Sequence, residues 1–150
     1  MVTLNLPYFP FKLKEEGNKI YIFDEIRKKY LFLTPEEWVR QHVLQYLIIY
    51  KLYPRSLIKI ETSLVFNTML KRSDIVVLDK TGKPFLLVEC KAPHIKINQK
   101  TIDQAARYNT SYNARYVMLT NGIDVISCSI NHAKRTVEIL KEIPDYSGFI

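Results

Sequence analysis

The stretch that decides the fold is Asp74-Ile75-Val76-Val77-Leu78, followed after a polar connection by Phe85-Leu86-Leu87-Val88-Glu89-Cys90-Lys91. Both apolar runs are of strand length, and the connection between them contains a glycine and a proline, which are frequent in turns. The stretch therefore predicts two antiparallel strands joined as a β-hairpin, with charged residues at its open end.

The register of this hairpin brings the charged residues together. If Asp79 faces Pro84, then Asp74 lies opposite Glu89, and the Cβ atoms of directly opposed residues are roughly 5 Å apart. Side chains alternate along a strand, so Lys91 shares a face with Glu89, whereas the intervening cysteine points the other way. Two carboxylates and a lysine are therefore expected at one end of the hairpin.

Such a cluster has a specific chemical use. Two adjacent carboxylates repel each other unless a cation lies between them, and Mg²⁺ is typically held by one or two carboxylates, water and substrate phosphate. A bound divalent ion activates water and stabilises the charge that develops on a phosphate. The sequence therefore predicts a Mg²⁺ or Mn²⁺ site at Asp74 and Glu89, with a salt bridge between solvated strand ends as the structural alternative.

Lys91 has two roles to choose between in this hypothesis. Near two carboxylates it is expected to stay protonated and to stabilise the transition state, and direct deprotonation of water is the weaker alternative. Because Asp74, Glu89 and Lys91 all lie at strand ends, truncating any of them to alanine is expected to leave the fold intact.

Further elements are predicted on both sides of the hairpin. Thr34 is a good N-cap and Pro35 fits the first helical position, so a helix begins there and ends before Pro54. An N-terminal hairpin is predicted within residues 19–33. The other elements are a strand at residues 57–66, a helix at 101–113 and strands at 115–119, 125–130 and 136–140.

Five segments in this order resemble the PD-(D/E)XK nuclease superfamily, and within it the N-terminal nuclease domain of type I restriction enzyme R subunits, including small stand-alone homologues. The segments are Leu33–Gln41, Lys71–Val77, Leu87–Pro93, Gln104-x-x-x-Tyr108 and Leu119–Gly122. One departure is Ser73, which stands where a proline usually precedes the first aspartate. The resemblance implies an α/β fold with a restriction-endonuclease-like core of order αβββαβ, in which helices flank a central mixed β-sheet. That core is expected at residues 34–130 of a single domain, with residues 1–33 as an N-terminal extension that carries the hairpin.

The resemblance also implies roles for residues outside the hairpin. It makes the backbone carbonyl of Cys90 a further metal ligand, directs Glu37 to the active site, and gives Gln104 and Tyr108 a part in positioning DNA or the acids. Without the resemblance, Gln104 and Tyr108 are interpreted as ordinary surface and boundary residues. From the sequence alone, Glu37 has an alternative role as the capping-box residue that closes the helix terminus. Glu36 is the weaker choice of the two acids.

Candidate contacts to nucleic acid follow from the positive charge. The formal net charge of +7 favours polyanionic partners. Candidate phosphate contacts are Arg40, Arg72, Lys96, Lys100 and Arg107. Arg40 has pairing with an acid as a second role, and any of the five is also explained as a solvated charge.

The bulk properties limit the function classes. With 150 residues and 47% hydrophobic content, the chain has enough apolar surface for one core. Cys90 and Cys128 lack metal-ligand spacing and are expected to be small buried residues in a reducing compartment. No secretory signal or membrane span is visible, so a cytoplasmic location without membrane contact is expected.

The sequence leaves several functions open. The main hypothesis is a metal-dependent DNA endonuclease, and the alternative is a non-catalytic nucleic-acid-binding or assembly module. No phosphate-binding Gly-rich loop is present, so a motor would come from a separate helicase, and a separate specificity subunit is a further candidate partner. RNA is a third substrate option, and a homodimer is one of the open oligomeric states.

Overall fold

The computed structural model describes residues 1–66 and 69–146, without the side chains of residues 61–73 and 108–112. In these ranges the chain forms two sheets and two α-helices. The strands are β1 Leu13–Glu16, β2 Lys19–Asp24, β3 Lys29–Phe32, β4 Ile58–Phe66, β5 Met69–Leu78, β6 Pro84–Cys90, β7 Tyr116–Thr120, β8 Val125–Asn131 and β9 Thr136–Leu140. The helices are α1 Pro35–Ile49 and α2 Gln99–Tyr112, and a short 3₁₀ turn spans Arg55–Leu57.

The central sheet is mixed, as predicted. Its strand order is β4-β5-β6-β7-β8-β9, and among these neighbours β6 and β7 run parallel. Because parallel strands need a crossover connection, the chain passes through α2 between them. The predicted restriction-endonuclease-like α/β class with the core order αβββαβ is confirmed, and β9 extends the sheet beyond that core.

The N-terminal sheet is larger than predicted. The expected hairpin within residues 19–33 is confirmed as β2 and β3, but β1 adds a third antiparallel strand. Glu16 and Lys19 pair on either side of a two-residue loop, Gly17-Asn18, and Gly17 has φ +63°. A Gly-Asn pair at this spacing is typical of a two-residue hairpin loop, so the sequence did carry a signal for β1.

The hairpin of β5 and β6 has the predicted register along its strands. Val76 pairs with Leu87, and the flanking pairs follow the same alignment. The predicted pairing of Asp79 with Pro84 is wrong, because a bulge after Val77 pairs Leu78 with Pro84 instead. The bulge absorbs one residue at the turn and leaves the alignment at the open end unchanged.

Strand alternation divides the core into two apolar clusters, one on each side of the central sheet. On one side, Val39, Val43, Leu44 and Leu47 of α1 pack against alternate residues of β5 and β6 such as Ile75. On the other side, Ile102 and Ala105 of α2 pack with Val76 and Leu87. The central strands are covered on both faces, which explains their continuous apolar runs.

The turn after β7 is constrained by the N-terminal segment. Gly122 has φ +84°, and a Cβ at this position would approach Leu4 to 2.8 Å and Val39 to 3.2 Å. The Gly122 carbonyl accepts a hydrogen bond from the Asn5 amide at 2.8 Å. Both the backbone conformation and the close packing therefore require glycine here.

Two further expectations can be compared with the fold. Cys90 and Cys128 are free and buried, as predicted, and burial raises the pKa of both thiols. In the described part of the chain, neither helix has the length and apolar character needed to cross a membrane.

We expect His42 of α1 to make the stability of the fold depend on pH. Its ring packs against Trp38 and Phe11, and burial lowers its pKa even though the ring also bonds the Trp38 carbonyl. A histidine whose folded-state pKa is depressed stabilises the protein above the unfolded-state pKa of about 6.5, and this contribution is lost as the pH falls below it. Urea unfolding at about pH 7.5 and about pH 5 should therefore show a smaller loss of stability in His42→Phe than in wild type.

His94→Phe is the control, because His94 is exposed. An equal pH dependence in His42→Phe and wild type would show that His42 is not the group responsible.

Candidate active site

Asp74 is held by two hydrogen bonds at the open end of the hairpin. Its Oδ2 accepts from the backbone N–H of Cys90 at 2.7 Å, and its Oδ1 accepts from Nη2 of Arg40 at 2.8 Å. The first bond ties β5 to β6 just beyond the Ile75–Val88 pair. The carboxylate is therefore fixed in position by both the hairpin and α1.

Glu89 and Lys91 form the second part of the site. Lys91 Nζ lies 3.1 Å from Glu89 Oε1, and the two side chains are 38% and 39% exposed. The Lys91 backbone N–H bonds the Thr120 carbonyl at 2.9 Å, which anchors the residue to β7. Both groups are thus accessible from solvent while their backbone is fixed by the sheet.

The charge state of Lys91 follows from its neighbours. Burial is the largest single effect and lowers its pKa, but the Glu89 hydrogen bond and the charges of Glu89, Asp74 and Glu36 together outweigh it. The net result is a raised pKa, so Lys91 is an ammonium at neutral pH. This agrees with the prediction that it stays protonated.

The first turn of α1 faces the same charges. Thr34 caps the helix by accepting a hydrogen bond from the Glu37 N–H at 3.0 Å, so the predicted helix start is confirmed. Glu36 Oε2 lies 3.2 Å from Arg40 Nη2. Burial raises the pKa of Glu36 most strongly, and the charge of Asp74 raises it further. Glu36 therefore lies within the field of the site, although the sequence analysis preferred Glu37.

Glu37 is buried behind the site. Its carboxylate accepts hydrogen bonds from Arg40 and from Gln41 Nε2, the latter at 2.9 Å. The Thr34 hydroxyl accepts the hydrogen bond that a capping box requires of it. Among the described contacts, the Glu37 carboxylate accepts hydrogen bonds from Arg40 and Gln41 instead of closing the box. It reaches Asp74 through the guanidinium of Arg40, which binds both acids.

Arg40 is the centre of this arrangement. It is 3% exposed and forms ion pairs with Glu36, Glu37 and Asp74. Pairing with an acid, one of its two predicted roles, is therefore observed, and the alternative of a solvated charge is wrong. The predicted contact between Arg40 and a phosphate stays a prediction. In this structure the guanidinium is paired with carboxylates.

The buried network extends to the N-terminal sheet, which the sequence analysis missed. Asp24, at the end of β2, is fully buried. Its carboxylate accepts from the N–H groups of Ile26 and Arg27 at 2.8 Å each and from Gln41 Nε2 at 2.9 Å. Arg27 Nη2 lies 3.5 Å from Glu37 Oε2. An aspartate two residues before a turn amide was the available signal, since Asx turns have this spacing.

The donor set can be tested for its fit to a divalent ion. Within the described residues, no group of three or more His, Cys, Asp or Glu side chains could hold a metal. Asp74 and Glu89 lie on the adjacent strands β5 and β6, each one residue beyond the last pair of the ladder. Mg²⁺ is commonly bound by one or two carboxylates while keeping several waters. The residues therefore fit a hydrated Mg²⁺ and do not fit a cage made of side chains alone.

The other predicted site residues lie farther along the chain. Gln104 is exposed on α2, which begins at Gln99 and so extends two residues before the predicted start. Lys96, Lys100 and Arg107 are exposed. The side chains of Arg72 and Tyr108 lie outside the described residues, so the roles predicted for them stay predictions. Lys96 lines a groove with the segment after the hairpin and the turn at Asn121.

Comparisons with known proteins agree with this fold. The sequence matches the family model "Type I restriction enzyme R protein N terminus (HSDR_N)" over residues 35–144. No curated protein sequence matches the chain.

Two solved structures share the fold. A fragment described as an HsdR subunit of a type I restriction enzyme from Vibrio vulnificus YJ016 has a TM-score of 0.57 and 16% identity, over 78% of this chain and 24% of that chain. The type IIG restriction endonuclease BpuSI has a TM-score of 0.51 and 20% identity, over 71% of this chain and 13% of that chain. The chain thus spans about a quarter or less of these proteins.

Proposed function

Because the chain belongs to the family of type I restriction enzyme R protein N termini, we propose that it is a divalent-metal-dependent endodeoxyribonuclease that hydrolyses phosphodiester bonds. The observation that carries this proposal is the convergence of Asp74, Glu89 and Lys91 at the open end of one hairpin. These three residues offer two carboxylates to an ion and one ammonium group to a phosphate. Their backbone is held by the sheet.

Asp74 and Glu89 would hold the ion, with the backbone carbonyl of Cys90 as a further ligand and water completing the coordination. When bound, Mg²⁺ or Mn²⁺ activates the attacking water and neutralises charge on the phosphate. Before an ion binds, Asp74 is held by Arg40 and by the Cys90 N–H. The bond from the Cys90 N–H joins the carboxylate to the backbone of β6, the strand that also carries Glu89.

Lys91 acts on the phosphate rather than on the ion. Its raised pKa keeps it charged at neutral pH, so it suits electrostatic stabilisation of the pentacovalent phosphate better than proton abstraction. Its salt bridge to Glu89 positions the ammonium beside the metal ligand before substrate arrives.

Glu36, Glu37 and Arg40 are positioning residues in this proposal. The two glutamates hold the Arg40 guanidinium from one side, and Arg40 in turn orients Asp74. Glu37, which the resemblance directs to the active site, would thus act on Asp74 through Arg40. Glu36, which is partly exposed, is the acid of this pair that a water or a hydrated ion can reach.

DNA would be held mainly by its phosphates. Lys96, Lys100 and Arg107 are exposed at and after the end of the hairpin, and the net charge is +7. Gln104 is also exposed on α2, where it can contact the backbone of DNA. Such binding falls steeply with salt and depends weakly on sequence. A separate helicase or specificity subunit would supply translocation or target choice.

A second candidate is a non-catalytic nucleic-acid-binding or assembly module. The observation that favours it is that each acid has a basic partner from the chain itself, Arg40 for Asp74 and Lys91 for Glu89. Such pairs would keep the site folded without a metal. The two candidate functions predict different results for metal binding and for DNA cleavage, so the test measures both of these properties.

The test combines nicking of supercoiled plasmid with titration calorimetry of Mn²⁺. We expect nicking in Mg²⁺ or Mn²⁺, none in EDTA, and one Mn²⁺ site that Glu138→Gln, an exposed carboxylate change on β9, leaves unchanged. DNA affinity should fall by orders of magnitude as salt rises from about 50 to 200 mM. If the protein neither binds Mn²⁺ nor nicks the plasmid, the nuclease proposal is wrong and the non-catalytic module takes its place.

A further inference from the structure

Four aromatic side chains share one face of the N-terminal sheet, which we call the aromatic face. They are Tyr21, Phe23, Tyr30 and Phe32. Tyr21 pairs with Phe32 and Phe23 pairs with Tyr30 across β2 and β3, with ring centroids 6.0 and 5.1 Å apart. Tyr30 and Phe32 remain 38% and 52% exposed. Because side chains alternate along a strand, the fully buried Ile22 lies on the opposite face.

Lysines stand among these rings. The ammonium nitrogens of Lys12, Lys14 and Lys19 lie 5.5, 4.5 and 5.6 Å from the centroid of the nearest aromatic ring. All three lysines are exposed. Glu16 is an acid next to them, at 3.5 Å from Lys14. The aromatic face therefore combines partly exposed aromatic rings with positive charge.

The combination of aromatic rings and lysines favours some ligands of the aromatic face over others. Lysine is depleted from the buried centres of protein interfaces, because its ammonium must be desolvated there. Single-stranded nucleic acid suits the face better, since each nucleotide brings a base that stacks on a ring and a phosphate that pairs with a cation. In a duplex the bases are stacked on one another and cannot offer their faces to the protein.

We propose that the aromatic face binds single-stranded DNA, with bases stacked on Tyr30 and Phe32 and phosphates paired with Lys14 and its neighbouring lysines. The choice of DNA over RNA rests on the proposed function, whereas the stacking and charge chemistry does not. The face shares no residue with the Asp74 and Glu89 site. It would hold an unpaired strand on the same chain that carries the proposed nuclease site.

The test is fluorescence anisotropy with a labelled oligothymidylate of about 20 nucleotides, in EDTA so that no cleavage occurs. Wild type should bind this strand more tightly than a duplex of equal length and more tightly than oligouridylate. Tyr30→Ala and Phe32→Ala should each weaken binding by about fivefold to 150-fold, the range expected for loss of one stacked base. Phe32→Leu should lose as much affinity as Phe32→Ala, because leucine keeps the apolar bulk but has no aromatic ring on which a base can stack.

Controls separate stacking from charge and from folding. Tyr8→Ala removes a ring that is 88% exposed outside the aromatic face and should leave affinity unchanged. Lys14→Gln should reduce the slope of log affinity against log salt by about 0.7, the value for one phosphate contact on a single strand. Phe32→Ala should leave that slope unchanged.

Several results would overturn the proposal. These are equal affinity for single strand and duplex, tighter binding of oligouridylate, or wild-type binding by Phe32→Leu. A wild-type dimer that Phe32→Ala converts to a monomer would assign the face to a second copy of the chain instead. Because the assay needs neither metal nor cleavage, single-strand binding by a protein that does not nick plasmid would support this inference while refuting the nuclease.

Discussion

Glu89→Gln is expected to reduce DNA cleavage to the level seen in EDTA and to remove the Mn²⁺ site. The substitution keeps the size of the side chain and deletes the charge that an ion needs. Glu89 is 39% exposed and bonds Lys91 at the surface, so its replacement should cost little stability. Plasmid nicking, calorimetry and thermal melting on the same preparations check these three expectations together.

Lys91→Met provides the contrast to Glu89→Gln. It should retain the metal site but lose about 10²- to 10³-fold in cleavage rate, since it removes one group that stabilises the transition state. Glu138→Gln on β9 controls for loss of any carboxylate. Wild-type cleavage by Glu89→Gln, measured with whatever partner or DNA wild type requires, would contradict the assignment of the active site.

Arg40→Met is expected to lower the free energy of unfolding by about 3 to 5 kcal/mol. The guanidinium is 3% exposed and pairs with Glu37 and Asp74, and removing one member of a buried ion pair leaves the remaining charge uncompensated. Methionine fills a similar volume, so the loss reports charge rather than a cavity. Urea denaturation at neutral pH measures it.

Arg55→Met is the matched control for this prediction. Arg55 pairs with Glu25, but the two side chains are 54% and 41% exposed, and exposed pairs contribute about 0 to 1 kcal/mol. Arg40→Met/Asp74→Asn should be more stable than the sum of the two single changes predicts, because the partners share one interaction. An equally small effect of Arg40→Met and Arg55→Met would rule out a structural role for the buried network.

The same contacts correct one expectation from the sequence. Truncation of Asp74 was expected to leave the fold intact because the residue ends a strand. Asp74 instead accepts hydrogen bonds from buried Arg40 and from the Cys90 N–H, so Asp74→Ala should also destabilise the protein. A loss of activity in Asp74→Ala can therefore come from lost chemistry or from unfolding. Glu89→Gln and Lys91→Met, which change exposed side chains, distinguish the two causes.

Local patterns in the sequence determined the hairpin, its register and the first helix. Two apolar runs with a turn between them set the pairing of β5 with β6, and this register brings Asp74 and Glu89 to the same end of the hairpin. Thr34 and the proline after it start α1, because capping depends on residues adjacent in the chain. These features rest on interactions over short sequence distances, which is why they were predictable.

Only the tertiary structure decided which charges meet around the site. Arg40 reaches Asp74 across 34 positions of the chain, and Gln41 reaches Asp24 across 17. These contacts depend on how α1 packs against both sheets, and an apolar pattern specifies the buried face of a helix but not the partner of each polar group on it. The bulge after Val77 likewise depends on how the turn closes. Local sequence thus placed the acids at the end of the hairpin, and packing placed Arg40 against Asp74.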